Sequence, residues 1–232
     1  MKNVNLLIII GTIMFTQIAL AENAAEETIN IFDTVSDVEG NIYKTVKIGD
    51  QVWLGENLRS TKFQDGSAIN TAFIPSDDES KLLQYGRLYD WHDVSDTRNI
   101  CPVGWRVASD DDWKVLEKYI GMSDEDLNKT GWRGDKDIAI TLKESQVNTM
   151  FKDFEQSQVN KFNFSVKPAG IKWKSWYFVQ GMYAEIWTST SATEKEAYNR
   201  TFAHSFWNWH KGDIYRSTLS KDYMFSVRCI KI

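Results

Sequence analysis

Between Ile42 and Ile48 the chain alternates with period two, Ile42, Lys44, Val46 and Ile48 falling on one side and Tyr43, Thr45 and Lys47 on the other. A Glu39-Gly40-Asn41 turn precedes this run, and a Gly49-Asp50 pair connects it to Gln51, Val52, Trp53 and Leu54. Such spacing predicts an N-terminal β-hairpin. Residues 59–81 show no period and carry the Asp65-Gly66 turn and Pro75, which reads as loop; residues 85–91 are short, aromatic and packed. At Ser109 the period changes: Trp113, Leu116 and Ile120 share one helical face, Ser109 and Asp112 stand at the spacing of a capping box, and Gly121 stops the run. Residues 123–129 read as a second short helix and 138–143 as a short apolar element. Residues 150–164 read as loop with a weak strand. Beyond them, residues 173–178, 185–189, 198–203, 213–216 and 225–230 are β-prone runs separated by turn residues, predicting an antiparallel C-terminal sheet with long loops. The fold class is α+β.

The first 30 residues have a different texture. Lys2, an apolar run from Val4 to Leu20 and the small residues Ala19 and Ala21 predict a secretory signal peptide over 1–21, with no stable membrane span after cleavage. The alternative is an uncleaved anchor, since roughly 17 apolar residues can just span a bilayer. Residues 22–30 are a short polar tether, and a single domain occupies 31–232. Export places the protein in the periplasm, on the cell surface or outside the cell, and changes the reading of Cys101 and Cys229. With no third cysteine to compete, a Cys101–Cys229 disulfide is expected in an oxidising compartment, two buried thiols being the alternative.

Composition narrows the partners. A net charge of −5 leaves no basic footprint for phosphate backbones, so nucleic acid is not expected. Ten tryptophans point instead to aromatic cores or aromatic binding surfaces. Two clusters stand out: Trp173, Trp176, Tyr177 and Phe178 beside Lys172 and Lys174, and Trp207, Asn208 and Trp209 between His204 and His210. Exposed, either would stack on a sugar ring or an extended peptide; buried, either is core. The candidate ligand-binding residues are therefore Trp173, Trp176, Trp207, Asn208 and Trp209. Asp110, Asp111 and Asp112 are read as helix-capping carboxylates. A calcium site would draw on Asp135 and Asp137 or on Asp213 and Asp222, without EF-hand spacing. A zinc site at His204 and His210 lacks a third ligand, and no cofactor is expected.

The strings DVEGNIYKTVKIGDQVWLGENL, YGRLYDW, CPVGWRVASDDDW, FSVKPAG, WTST and FSVRCIK occur in the order and spacing of the Fibrobacter succinogenes major paralogous domain, and the chain resembles that family over residues 31–232. The run Arg106, Val107, Ala108 departs from the His-Leu-Pro-like run common there. The resemblance implies an exported bacterial protein of C-type lectin-like fold, in which a Cys-Pro-x-Gly-Trp segment opens a helix and a last strand returns with the paired cysteine. It implies no activity. The Glu-Pro-Asn and Trp-Asn-Asp elements of calcium-dependent lectins are missing: Trp209 follows Trp207-Asn208. The reading is a non-catalytic binding or interaction module for a glycan, peptide or surface polymer. Second stands an enzyme acting on cell-wall or polysaccharide material through Asp135, Glu185 or Asp213, which needs two carboxylates about 5–9.5 Å apart at a cleft. Third is a structural surface component.

Overall fold

The computed structural model describes residues 33–134, 137–144, 154–204, 210 and 212–232; the signal peptide and tether expected over 1–30 lie outside these residues. In chain order the described strands are β1 (Thr34–Ser36), β2 (Ile42–Ile48), β3 (Gln51–Leu54), β4 (Tyr89–Asp90), β5 (Trp105–Val107), β6 (Gly131–Arg133), β7 (Ile171–Trp173), β8 (Trp176–Phe178), β9 (Tyr183–Ser191), β10 (Glu196–Ala203), β11 (Ile214–Ser220), β12 (Tyr223–Val227) and β13 (Cys229–Lys231). The helices are α1 (Leu82–Tyr85), α2 (Trp91–Val94) and α3 (Asp110–Tyr119). The chain is α+β, dominated by strands.

Two sheets form. The smaller runs β1-β2-β3-β13-β5, and the larger runs β6-β11-β10-β9-β12-β7-β8 with β4 beside β12. The expected hairpin is present as β2 and β3, paired from Ile48↔Gln51 to Thr45↔Leu54. Its burial switches face along the strand: Tyr43 packs into one apolar core with Leu54, while Val46, Ile48 and Trp53 pack into the other. A sheet sandwiched between two cores buries both faces, which is why simple alternation fails at Thr45–Val46. The larger sheet does the same, Trp187 and Ala197 facing the first core and Ala184, Ile186, Phe202 and Ile214 the second.

The C-terminal sheet differs from the expected antiparallel one at one pairing. Strand β12 runs parallel to β9 through Ser226↔Ile186 and Val227↔Trp187; the other strand pairs are antiparallel. The run expected over 225–230 is also divided. At Arg228 the chain leaves the larger sheet and enters the smaller one, where β13 pairs with β3 and β5. The Arg228 guanidinium is fully buried and donates to Asn57 Oδ1 (2.8 Å) and to the carbonyls of Leu54 (2.9 Å), Phe164 (2.5 Å) and Ser165 (2.7 Å). Burial pulls its pKa down to about 9, still above neutrality, so the cation persists and four oxygens hold it. The disulfide Cys101–Cys229 forms beside this crossover, with Cα atoms 5.9 Å apart.

Helix α3 begins where expected. Ser109 Oγ accepts from the Asp112 N–H (3.1 Å) and Asp112 Oδ2 accepts from the Ser109 N–H (2.7 Å), closing the capping box. Trp113 and Leu116 are buried as the period requires, but so are Asp110 and Glu117. Asp110 accepts from Arg200 Nη1 (2.8 Å) and from Arg216 Nε (2.9 Å) and Nη2 (2.8 Å); Glu117 accepts from Arg133 Nη2 (2.9 Å) and Arg200 Nε (2.5 Å). Of the three aspartates, Asp110 is thus the hub of an ion network that seats the helix on the sheet. Residues 123–129 form turns rather than the expected short helix. The network also holds the end of this turn: Arg133 Nη1 donates to Leu127 O (3.0 Å) and Arg216 Nη1 to Asn128 O (3.1 Å).

Candidate functional site

The run expected as one strand over 173–178 is a hairpin, with Ile171 opposite Phe178, Lys172 opposite Tyr177 and Trp173 opposite Trp176. Lys174 takes the left-handed conformation (φ +54°) in the two-residue connection that permits this reversal. Gly170, at φ +74°, sits where a Cβ would lie 2.4 Å from the Phe178 carbonyl oxygen, so a glycine is what lets β8 come this close.

The two faces of the hairpin are treated differently. On one, Lys172 is buried with its ammonium 4.0 Å from the Tyr177 ring and 4.5 Å from the Phe73 ring. Tyr177 donates its hydroxyl to Asp77, and Ser76 and Lys81 donate to the Gln180 side-chain oxygen (2.6 and 3.3 Å). These contacts pin the hairpin to the segment 73–81. The other face carries Trp173, Trp176 and Phe178, of which Trp176 is 65% and Phe178 42% exposed, with Met182 45% exposed on the turn that follows. Trp173 is half-buried between Tyr223 (ring centroids 6.2 Å) and the Lys174 ammonium (4.5 Å). A pinned strand pair therefore presents rigid aromatic surface to solvent.

Other candidates resolve in different ways. Trp207, Asn208, Trp209 and Asp135 lie outside the described residues. His204 is buried, its two ring nitrogens each 3.2 Å from the carbonyls of Phe202 and Val166, and burial together with the Lys143 charge pushes its pKa down to about 3. A neutral imidazole sealed among carbonyls is core, so it does not join His210, which pairs with Asp213 at 2.7 Å. Asp213 and Asp222 flank the seven residues of β11, a span of roughly 20 Å that prevents them from sharing a calcium ion. Among the described residues no three His, Cys, Asp or Glu side chains gather as a metal site.

Glu185 behaves unlike the other carboxylates. It lies on β9, half-buried, and its Oε2 accepts from Thr201 Oγ1 (2.6 Å) and Asn199 Nδ2 (2.8 Å). Burial, only partly offset by these two hydrogen bonds, pushes its carboxyl up to about 8. Because the ordinary value is 4.5, the folded state binds the proton more tightly; this contribution to stability is full below 4.5 and lost as pH rises through 8. Glu185→Gln removes that dependence. The melting-temperature difference between variant and wild type is expected to grow in the variant's favour from pH 5 to pH 9, and a constant difference would contradict the assignment.

Sequence reasoning did not find Asp110 and Glu117 as buried ions, nor Arg228 as the crossover anchor. The available signal was the seven-residue spacing of Asp110 and Glu117, which puts both on the Trp113 face of the helix.

No helix among the described residues is long and apolar enough to cross a membrane. A family model described as the Fibrobacter succinogenes major domain matches residues 46–231. No curated protein and no solved structure matches the chain.

Proposed function

The chain belongs to the Fibrobacter succinogenes major domain family, and from that premise we propose that it is an exported, non-catalytic binding module holding a glycan or surface polymer on the aromatic face of β7 and β8. The observation that carries this reading is the exposure of Trp176 and Phe178 on one face of a hairpin whose other face is pinned. Exposed aromatic surface is costly unless something covers it. A planar indole offers a sugar ring a broad apolar contact at small entropic cost, because the rigid ring has little freedom left to lose.

The disulfide supports export, since such bonds persist in oxidising compartments. On this reading residues 1–21 are a signal peptide, and the mature chain starts at Glu22 and resides in the periplasm, on the surface or outside the cell. Amino-terminal sequencing of the protein recovered from fractionated cells checks this; a chain still beginning at Met1 in the cytoplasm would refute it. The lectin-like relation belongs to the same proposal. It is supported by a disulfide that ties the segment before α3 to the last strand.

Binding is tested on an array of bacterial cell-surface polysaccharides and plant or bacterial cell-wall glycans. Covering one aromatic side chain contributes about 1.5–3 kcal/mol, and 1.4 kcal/mol is tenfold in affinity. Trp176→Ala is therefore expected to weaken binding about tenfold or more. The change leaves the melting temperature nearly unchanged because the ring is mostly outside the core. Adding Trp173→Ala abolishes the signal. Equal binding by the double variant would remove this surface from the function.

A further inference from the structure

The face of β9, β10 and β11 that looks away from α3 carries a second polar group, on the opposite side of the sheet from the ion network. Glu185, Thr201, Tyr215 and Trp132 stand in register on four neighbouring strands, one residue from each. Strand spacing puts Tyr215 about 10 Å and Trp132 about 14 Å from Glu185 along this row. Asn199 and Ser217 flank it, also in register.

The hydrogen bonding is asymmetric. Among the described residues both donors to Glu185, Thr201 Oγ1 and Asn199 Nδ2, reach the same oxygen, Oε2. The Asn199 amide is fixed in this orientation, because its own oxygen accepts from Ser217 Oγ (2.8 Å). The carboxyl is therefore aimed, one oxygen saturated and Oε1 without a hydrogen bond among the described residues. Its partners are all neutral. Asp110 and Glu117, on the α3 side of the sheet, each bind arginines, whereas Glu185 on the opposite face, like Asp37 and Asp93 elsewhere, has no ion pair among the described residues.

We propose that this cluster is a binding site for an ammonium-bearing ligand, with Glu185 as its counter-ion and the Tyr215 and Trp132 rings as the wall along which the rest of an extended ligand lies. The wall is angled and braced: Trp132 stacks on His210 with ring centroids 4.7 Å apart and planes 1° from parallel, and Tyr215 packs 4.9 Å from Trp132 with its plane tilted by 54°. A cation delivered to Oε1 would complete the pairing that the protein leaves open, and an ammonium can satisfy it with a directed N–H donor. Along the row the remaining ionisable groups among the described residues are the phenols of Tyr183 and Tyr215 and the His210–Asp213 pair; Thr201, Asn199 and Ser217 carry no charge.

Binding is coupled to a proton. The raised carboxyl is mostly protonated at neutral pH, so the bound state, a carboxylate beside an ammonium, forms with release of that proton to solvent. The site is independent of the β7–β8 hairpin, and its test uses different ligands and variants.

Two ammonium probes distinguish the sources of such a group: a glucosamine disaccharide against its N-acetylated counterpart, and phenethylammonium against neutral 2-phenylethanol. Titration calorimetry of the full chain at pH 7, in buffers of different ionisation enthalpy, is expected to show binding of at least one ammonium probe with release of about one proton. The neutral counterparts stay silent. The affinity for phenethylammonium should rise about tenfold per pH unit from 6 to 7 and level off above 8. Glu185→Gln abolishes binding and the pH slope, while Trp132→Ala weakens binding several-fold and keeps the slope. Carbon-13 titration of the wild-type Glu185 carboxyl gives a readout that needs no variant: saturating probe should lower its midpoint by at least one unit. No binding of either probe, equal binding of the neutral counterparts, an unchanged Glu185 midpoint, or undiminished binding by folded Glu185→Gln would each overturn the proposal.

Discussion

Glu117→Gln is expected to lower the free energy of unfolding by about 3–5 kcal/mol, because it takes the carboxylate from buried Arg133 and leaves Arg200 only its pairing with Asp110. Glu117 is fully buried, as are the Arg133 and Arg200 side chains that bind it. Urea denaturation followed by tryptophan fluorescence measures the loss, and a change under 1 kcal/mol would show that the network does not hold α3 to the sheet. Removing a partner as well separates pairing from packing. In the double variant Glu117→Gln, Arg133→Met one unpaired charge disappears, so its cost should fall short of the sum of the single changes by about 1–3 kcal/mol.

The same network adds a pH dependence on the acid side. Burial alone would raise the Asp110 carboxyl, but hydrogen bonds from Arg216 and the charge and hydrogen bonds of Arg200 outweigh it and hold it well below the ordinary 3.8. A depressed folded value means that this stabilisation is complete above 3.8 and is lost as the pH falls below it. Asp110→Asn therefore costs most near neutrality and progressively less in acid.

Opening the disulfide is the second large effect. Cys101 and Cys229 are 128 residues apart, and a loop of that length is worth on the order of 4–5 kcal/mol in the chain-entropy model. Cys101→Ala with Cys229→Ala is expected to shift the denaturation midpoint accordingly, and dithiothreitol should reproduce the shift in the wild type. An unchanged midpoint under both treatments would mean that Arg228 and the strand pairing of β13 hold the crossover without the bridge. Neither change touches Trp176, Phe178 or Glu185, so ligand binding by the folded fraction should be unaltered.

Particular residues show how far local pattern reaches. The β2–β3 hairpin, the Ser109 cap and the Trp113 face were legible because each depends on neighbours within about seven positions. The β7–β8 hairpin was half-legible: its aromatics were visible as a cluster, but Lys174-Ser175 gave only the weak turn signal of a serine, with no glycine or asparagine for the left-handed position. Whether Trp176 faced solvent depended on Lys172 and Tyr177 being drawn to Phe73 and Asp77, about a hundred residues earlier.

Glu185 marks the remaining distance. In the sequence it was one acidic residue in a β-prone run, available to an enzymatic reading; its altered proton affinity arises from Thr201 and Asn199 across a strand pair and from the burial around them. Arg200 and Arg216 likewise look like surface positions until their register places them directly opposite each other, where two like charges require the carboxylate that Asp110 supplies. The sequence by itself determined the elements whose signals are local: periodicity, caps, turn residues and the two cysteines. Only the tertiary structure decided which charges are buried, which aromatics are exposed and which carboxyls have neutral partners alone, because those properties belong to side chains that meet across strand registers and loops rather than along the chain.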